Sequence, residues 1–473
     1  MKKKLFFPKE GFIVFVILIS FVLVIFKLID ISMPEYRLWQ TYNNTLLEDR
    51  NDRNYYTEKG YPKLEVKNTS LSKNSKNILI IGDSYISGSG TSNINNTWWR
   101  KLELELYNRG YYNVNVKAVG ISGASTQDEL EWLKNTSLID DYKPDIVILG
   151  YVSNDIELSD SSGNLLVKKI KQVDYFEKNK ILKFLKSCYP SLSYKINNML
   201  NNNSDKEYKM SEYNEQTGYP DALHDKIISS GNYVKLYENE VVKPFCEYLN
   251  SLDIPSFIVN TPNNVSSKED KENIYDLFRK NGVKVYNMFD SFKEYQKNVK
   301  DYKRISLVNS HPGPAYTKFY AEYVADILED SYTDIIGKKS EEKIEYPLNI
   351  NWSFPNIKYK IDDLKDNTKI INFNYPYKNL LYMPIKEEYM QLNLEYPVAL
   401  KSVNLQGNDL KSAKIYVTTV DNKLGFDTQE LKFVGEATGQ NLYFNINEDE
   451  LITSICISAD IGAKSNLSVI IKK

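Results

Sequence analysis

The sequence predicts an α/β protein built on a doubly wound parallel sheet and followed by an all-β sandwich, and three observations carry that expectation. Between Asn77 and about Glu329, short apolar runs alternate with amphipathic stretches, the rhythm of strands and helices stacked in layers. From about Ile344 onward the pattern changes to alternating polar and apolar runs separated by Gly, Asn and Asp turns. The run Ile78 to Ile81 stops abruptly at Gly82-Asp83-Ser84, which puts a serine at the C-terminal lip of a buried strand, the edge where open α/β sheets bind ligands.

Taken in order, the chain opens on Lys2, Lys3 and Lys4, then on an apolar stretch from Gly11 to Phe26 broken only by Ser20, with Lys27 and Asp30 interrupting its continuation. Phe12 to Ile31 makes twenty residues, about the length of a bilayer core when Lys27 snorkels to the interface. No small-residue cleavage site follows, so residues 1–32 read as an uncleaved signal anchor, its basic end cytoplasmic and the rest of the chain extracytoplasmic. A buried core helix is the blander alternative. Residues 33–76, polar and rich in Asn, Tyr and Lys, read as a stalk.

In the first domain, residues 77–335, the expected strands are Ile78 to Ile81, Val114 to Val119, Ile146 to Tyr151, Ser256 to Asn260 and Val283 to Met288. Helical patterns fall at Trp98 to Tyr107, Gln127 to Lys134, Val234 to Leu252, Lys271 to Lys280 and Ala315 to Leu328. The lysine- and asparagine-rich stretch from about 158 to 230 is too long for a crossover loop and reads as an insertion. Helical spacing at Ile181 to Leu185 and Leu192 to Leu200 leaves two readings open, a lid near the site or a surface excursion. In residues 344–473 strands are expected at Ala413 to Thr419, Glu430 to Val434, Asn441 to Ile446, Ile452 to Ala459 and Asn466 to Ile471. The rhythm of Val398 to Lys472 resembles the later part of a galactose-binding-like jelly roll. Trp352, Tyr375, Tyr377 and Tyr382 are either sugar-stacking platforms or, as is commoner, core residues.

Composition narrows the function. Lys plus Arg (60) nearly balance Asp plus Glu (62), a net charge of −2, so no basic field points to nucleic acid. Cys188, Cys246 and Cys456 are far apart and show no metal-ligand or disulfide-framework spacing. Only His224 and His311 can supply an imidazole. No metal or cofactor is implied.

Acyl transfer by a serine needs a base for the hydroxyl proton and donors for the charge that develops on the carbonyl oxygen. Ser84 is the nucleophile candidate. After the second strand, Gly120-Ile121-Ser122-Gly123 lets the backbone approach a ligand, with Gly123 as amide donor and Gly120 as a turn residue. After the third, Tyr151-Val152-Ser153-Asn154-Asp155 offers the Asn154 side chain as a second donor, Asp155 reading as a cap. Ser310-His311-Pro312-Gly313, just before the last helix, makes His311 the base candidate; His224 stands in the insertion with no serine motif beside it. Asp83 reads as structural.

The ordered set Gly82-Asp83-Ser84, Gly123, Asn154 and His311 resembles the SGNH (GDSL-type) hydrolases, over about Asn77 to Glu329. The resemblance implies a three-layer α/β/α domain with Ser84 as nucleophile and His311 as general base and then acid. It also implies an oxyanion hole from the Ser84 and Gly123 amides and the Asn154 side chain. One departure stands out: the family's acid, usually three or sometimes two residues before the histidine, is replaced here by Val308 and Asn309. The expectation is a Ser84–His311 dyad, its imidazole oriented by a carbonyl or by Asn309, against a weakened or inactive site kept for binding. With the expected location and the appended β domain, the activity expected is a membrane-anchored esterase removing acyl, above all acetyl, groups from cell-surface or extracellular glycans. A glycan O-acetyltransferase using the same serine and a glycan-binding protein with a vestigial site are the alternatives.

Overall fold

Five strands of branched aliphatic residues make the first sheet: β1 (Lys76–Gly82), β2 (Val114–Gly120), β3 (Ile146–Tyr151), β4 (Ser256–Asn260) and β5 (Lys284–Tyr286). All are parallel, in the order β2-β1-β3-β4-β5. The computed structural model describes residues 9–32, 75–88, 93–121, 123–159, 165–166, 175–189, 192–193, 195–196, 199–200, 226–262, 272–298, 311–341, 345–354, 357–376, 380, 387–420, 431–446, 449–463 and 465–473. The expected stalk up to residue 74 and His224 lie outside them.

Its helices are α1 (Lys9–Ser32), α2 (Ser84–Ser87), α3 (Trp98–Asn108), α4 (Thr126–Asn135), α5 (Leu138–Tyr142), α6 (Lys180–Cys188), α7 (Gly231–Tyr237), α8 (Lys243–Ser251), α9 (Glu272–Lys280), α10 (Phe289–Asn298), α11 (Pro314–Ser331) and α12 (Thr333–Ile336). Alternate residues of β1 serve opposite cores. Ile78 and Ile80 pack with Trp98 and Leu102 of α3 and Val324 and Leu328 of α11. Leu79 and Ile81 pack with Leu130 of α4, Phe245 of α8 and Phe278 of α9. Burial on both faces is why these strands read as continuous apolar runs, and the result is three layers.

The single helix expected over Val234 to Leu252 is interrupted. Between α7 and α8, Glu238–Val242 winds as a π-turn, and Pro244 explains it: with no N–H for the carbonyl four residues back, it forces a local rearrangement at the start of α8. Around the N-terminal apolar stretch the chain is helical, as α1. Among the described residues no helix is long and apolar enough to cross a membrane.

The second domain holds two antiparallel five-stranded sheets. One has the order β13-β10-β15-β8-β7, from β13 (Asn441–Asn445), β10 (Ser402–Gln406), β15 (Asn466–Lys472), β8 (Thr368–Asn374) and β7 (Tyr359–Leu364). The other has the order β12-β11-β14-β9-β6, from β12 (Lys432–Thr438), β11 (Leu410–Thr419), β14 (Leu451–Ile461), β9 (Met390–Ala399) and β6 (Ile350–Phe354). Strand alternation sends Leu467, Val469 and Ile471 of β15 inward against Leu392, Ile415 and Ile455 of the facing sheet. Trp352 and Tyr375 are buried, so neither offers a ring face to a sugar; Tyr377 and Tyr382 lie outside the described residues.

The domains share one core, in which Trp352, Tyr389 and Cys456 of the sandwich pack with residues of α3 and α11. Fully buried Arg100 of α3 pins the junction: it pairs with Glu103, donates to the Glu395 carbonyl and lies 4.5 Å over the Tyr396 ring. Asn95 donates to the Leu394 carbonyl at 2.7 Å.

Candidate active site

Three glycines lie side by side where the central strands end. Gly82 of β1 pairs with Gly120 of β2 and with Gly150 of β3, and α2 rests on them. A Cβ on Gly120 would stand 2.4 Å from the Ser87 nitrogen and 2.7 Å from the Asp83 carbonyl oxygen; one on Gly82 or Gly150 would meet the Ile86 side chain at 2.3 or 2.7 Å. None of the three has a positive φ. Their reason is therefore close approach, not the turn expected of Gly120: they let the first turn after β1 settle on the sheet and hold Ser84 at its edge.

The side chain of Asp83 caps that turn. Its Oδ1 accepts from the Tyr85 amide at 2.9 Å and its Oδ2 from the Ser84 hydroxyl at 3.0 Å, and Asn154 adds a further hydrogen bond. Burial nevertheless outweighs these bonds and pushes the Asp83 carboxyl up to about 6. The nucleophile candidate is thus buried, with its proton directed at a neighbouring carboxylate.

His311 stands just ahead of α11, its ring edge-on to that of Tyr85 with centroids 5.6 Å apart. The structure thus brings the base candidate to the residue that follows Ser84, while the hydroxyl itself bonds to Asp83. Burial lowers the imidazole to about 4, so it is neutral at physiological pH and fit to accept a proton. Val308 and Asn309, the positions expected to orient it, lie outside the described residues.

Gly123 occupies the third position of a turn closed by the Ala124 amide on the Ile121 carbonyl at 3.1 Å. Its φ of +77° is one that glycine adopts without strain, and nothing lies within 4 Å of where a Cβ would stand. Its backbone is exposed beside the sheet edge. Asn154 follows β3 and donates through Nδ2 to the Ala124 carbonyl at 2.8 Å, so this side chain ties the Gly123 turn to the loop after β3. Asp155 is buried and receives the Val152 amide, while its carbonyl accepts from Thr126 at the start of α4. It holds the loop that presents Asn154.

Sequence reasoning missed Glu129. One turn into α4 it is fully buried, neither carboxyl oxygen has a hydrogen-bond partner among the described residues, and its acidic neighbours are Asp155, Asp83 and Asp128. Burial first, then those charges, raise its carboxyl well above the ordinary range and favour its protonated form. A glutamate on an amphipathic helix gives no sign of this in sequence; only the packing of α4 against the strand ends shows it. A separate cavity of about 760 Å³ near Tyr107, Tyr112 and Tyr346 adjoins the start of β2, the opposite edge of the sheet from Ser84.

The fold and this edge define a class: a three-layer α/β domain with a serine, an imidazole and three candidate N–H donors, those of Ser84, Gly123 and Asn154, where its strands end, fused to an antiparallel β-sandwich. No family model matches the chain, and no curated protein matches it. Among solved structures it is similar to a two-domain esterase active on acetylated mannans, at 13% identity and a TM-score of 0.32, covering 84% of this chain and 92% of that one. An acetyl xylan esterase is similar at 14% identity and a TM-score of 0.30, covering 54% and 99%. The lipase/acylhydrolase from Enterococcus faecalis is similar at 11% identity and a TM-score of 0.30, covering 54% and 96%. At such scores the functional reading rests on the residues of the site.

Proposed function

We propose that the protein is a serine esterase that removes acyl groups, acetyl above all, from glycans on the outer side of the membrane. The observation that carries this reading is the convergence at one sheet edge of Ser84 on its glycine floor, neutral His311 beside Tyr85, and the Gly123 turn held by Asn154. Ser84 attacks the ester carbonyl and His311 takes the proton, returning it to the departing sugar oxygen. Water then attacks the acyl-enzyme, its proton passing to His311 and on to the departing Ser84 oxygen, and the carboxylic acid is released. The Ser84 and Gly123 amides and the Asn154 side chain are the donors available for the oxyanion, the Ser84 amide and Asn154 by turning from their present partners. The glycan is inferred from the fused sandwich and from the extracytoplasmic location proposed for the chain.

Hydrolysis of p-nitrophenyl acetate by the full-length protein in detergent tests the reading. Ser84→Ala is expected to lower kcat/KM by at least about a thousandfold. With His311 as base, the acid limb of kcat/KM falls near pH 4; a limb near 6 would transfer the controlling ionisation to Asp83. A sharp gain on Val308→Asp would show that the site is weakened by the missing acid. No serine-dependent turnover, on this ester or on acetylated glycans, would refute the esterase.

A further inference from the structure

The insertion carries an apolar face that the described protein leaves partly uncovered, at Ile181 and Phe184. In α6 (Lys180–Cys188), Ile181, Phe184, Leu185 and Cys188 recur at i, i+3, i+4 and i+7 and share one side, with Lys180, Lys183 and Lys186 on the other. No residue of α6 is buried, and Ile181 and Phe184 are 73% and 66% exposed. The end of this helix is fastened to the last turns of α1. Tyr189 donates its hydroxyl to the Leu23 carbonyl at 3.2 Å, Lys27 Nζ donates to the Cys188 carbonyl at 2.5 Å, and the Leu192 amide donates to Asp30 Oδ1 at 2.8 Å. Lys27 also lies 5.8 Å over the Tyr189 ring and 3.6 Å from Asp30.

What covers the face follows from α1. That helix exposes Ile17, Leu18, Phe21 and Leu28, so two partly uncovered apolar surfaces meet, and a lysine and a tyrosine stand where they join. Lysine and tyrosine at the end of an apolar helix are the side chains that settle at a bilayer–water boundary. A short helix with aliphatic and phenylalanine side chains on one face and lysines on the other suits the same boundary where the lipids are anionic.

We propose that α6 is a second membrane contact. It lies along the outer face of an anionic phospholipid bilayer beside α1, with Ile181 and Phe184 among the acyl chains and Lys180 and Lys183 at the headgroups. The inserted segment is then a docking arm that fixes the domain at the membrane. This rests on the proposal that α1 itself meets the membrane, although no described helix is long and apolar enough to cross one, and the test separates the two.

Full-length protein carrying Cys188→Ser is reconstituted into phosphatidylcholine–phosphatidylglycerol vesicles with a nitroxide at Phe184→Cys or, separately, at Ile17→Cys; Cys246 and Cys456 are buried and do not compete for the label. Collision with oxygen and with a water-soluble nickel chelate reads immersion. Both labels oxygen-rich and nickel-poor is the expected result, with the position-184 label losing that immersion when Lys180 and Lys183 are replaced by Glu. A water-like label at 184 with a lipid-like one at 17 overturns the docking arm and leaves the anchor standing. Water-like labels at both positions overturn both. Spin–spin broadening at 184, which would place a second copy of the chain on this face, also overturns it.

Discussion

Around Ser84 the protein buries the carboxyl groups of Asp83, Glu129 and Asp155, whereas the buried polar side chains described in the β-sandwich are neutral ones such as Gln391, Asn393, Thr418 and Ser454. The two regions solve different problems. In the sandwich, Thr418 bonds to Thr453 and Gln391 to Asn393, so these buried side chains are paired without burying a charge. Near the site, Asp83 is held by a hydroxyl and an amide rather than by a cation, and Glu129 is held by no hydrogen bond at all among the described residues. Burying acids in this way works against stability, so their concentration at one sheet edge marks a place where the fold keeps polar chemistry at a cost. The nearby pair Arg100–Glu103 shows the contrast within the same domain, since there the buried acid has its cation.

The comparison is sharpened first where the effect should be largest, in the sandwich. Leu467→Ala empties a fully buried site in β15 and should cost about 2–5 kcal/mol in urea unfolding, by the same amount at pH 5 and pH 8, with the geometry around Ser84 kept in the folded fraction. At the site the corresponding substitution adds an atom. Gly120→Ala forces a methyl against the backbone of Asp83 and Ser87 and should cost about 1–3 kcal/mol. Because the backbone that must give way carries Ser84, activity at equal folded concentration should fall as well. An unaltered kcat/KM would break the assignment of the glycine floor as the support of the nucleophile.

Glu129→Gln comes next and should have the opposite sign. In the unfolded chain Glu129 gives up its proton near the usual 4.5, while burial and the neighbouring acids make the folded protein hold it to higher pH. The folded state therefore binds more protons, and stability falls as pH rises from about 4.5 through the raised folded value. Glutamine, neutral at every pH, removes that loss. The variant is expected to unfold at higher urea than the parent at pH 8 and to match it more closely at pH 4.5, with a flatter profile between. An unchanged slope would mean that Glu129 is ionised in the fold.

Much of this architecture is legible in sequence because both domains obey simple periods. Ile146 to Tyr151 and Ser256 to Asn260 are strands as expected, since apolar runs bounded by turn residues leave little choice. Ser84, Gly123, Asn154 and His311 are legible as strand-end and loop residues in a fixed order, and the structure sets them along one edge. What sequence could not show depends on packing. The reason for Gly82, Gly120 and Gly150 emerges only when their register is known, and the π-turn before Pro244 depends on how one helix absorbs a missing donor. Glu129 looks like any surface glutamate until α4 is laid against the sheet. The short α2 and the strands β6 and β9 are not legible, because four residues and bulged, irregular runs fall below what periodicity resolves.

The smallest effect gives the cleanest contrast with Glu129. Tyr375 in the sandwich donates its hydroxyl to the Ile457 carbonyl at 3.1 Å and accepts from the Ala459 amide at 3.2 Å. Burial pushes its ionisation further above the usual tyrosine range, so it is neutral throughout any accessible pH. Tyr375→Phe leaves those two backbone groups without that partner and should destabilise by about 1 kcal/mol. The cost should be the same at pH 5 and pH 8, because no proton is exchanged on unfolding over that interval. Deleting one buried polar group should thus lower stability evenly in the sandwich, while neutralising another at the site should raise it, and only at higher pH. Should Tyr375→Phe show the pH dependence, or Glu129→Gln lack it, the distinction between a neutral structural core and an acid-bearing functional edge would not hold.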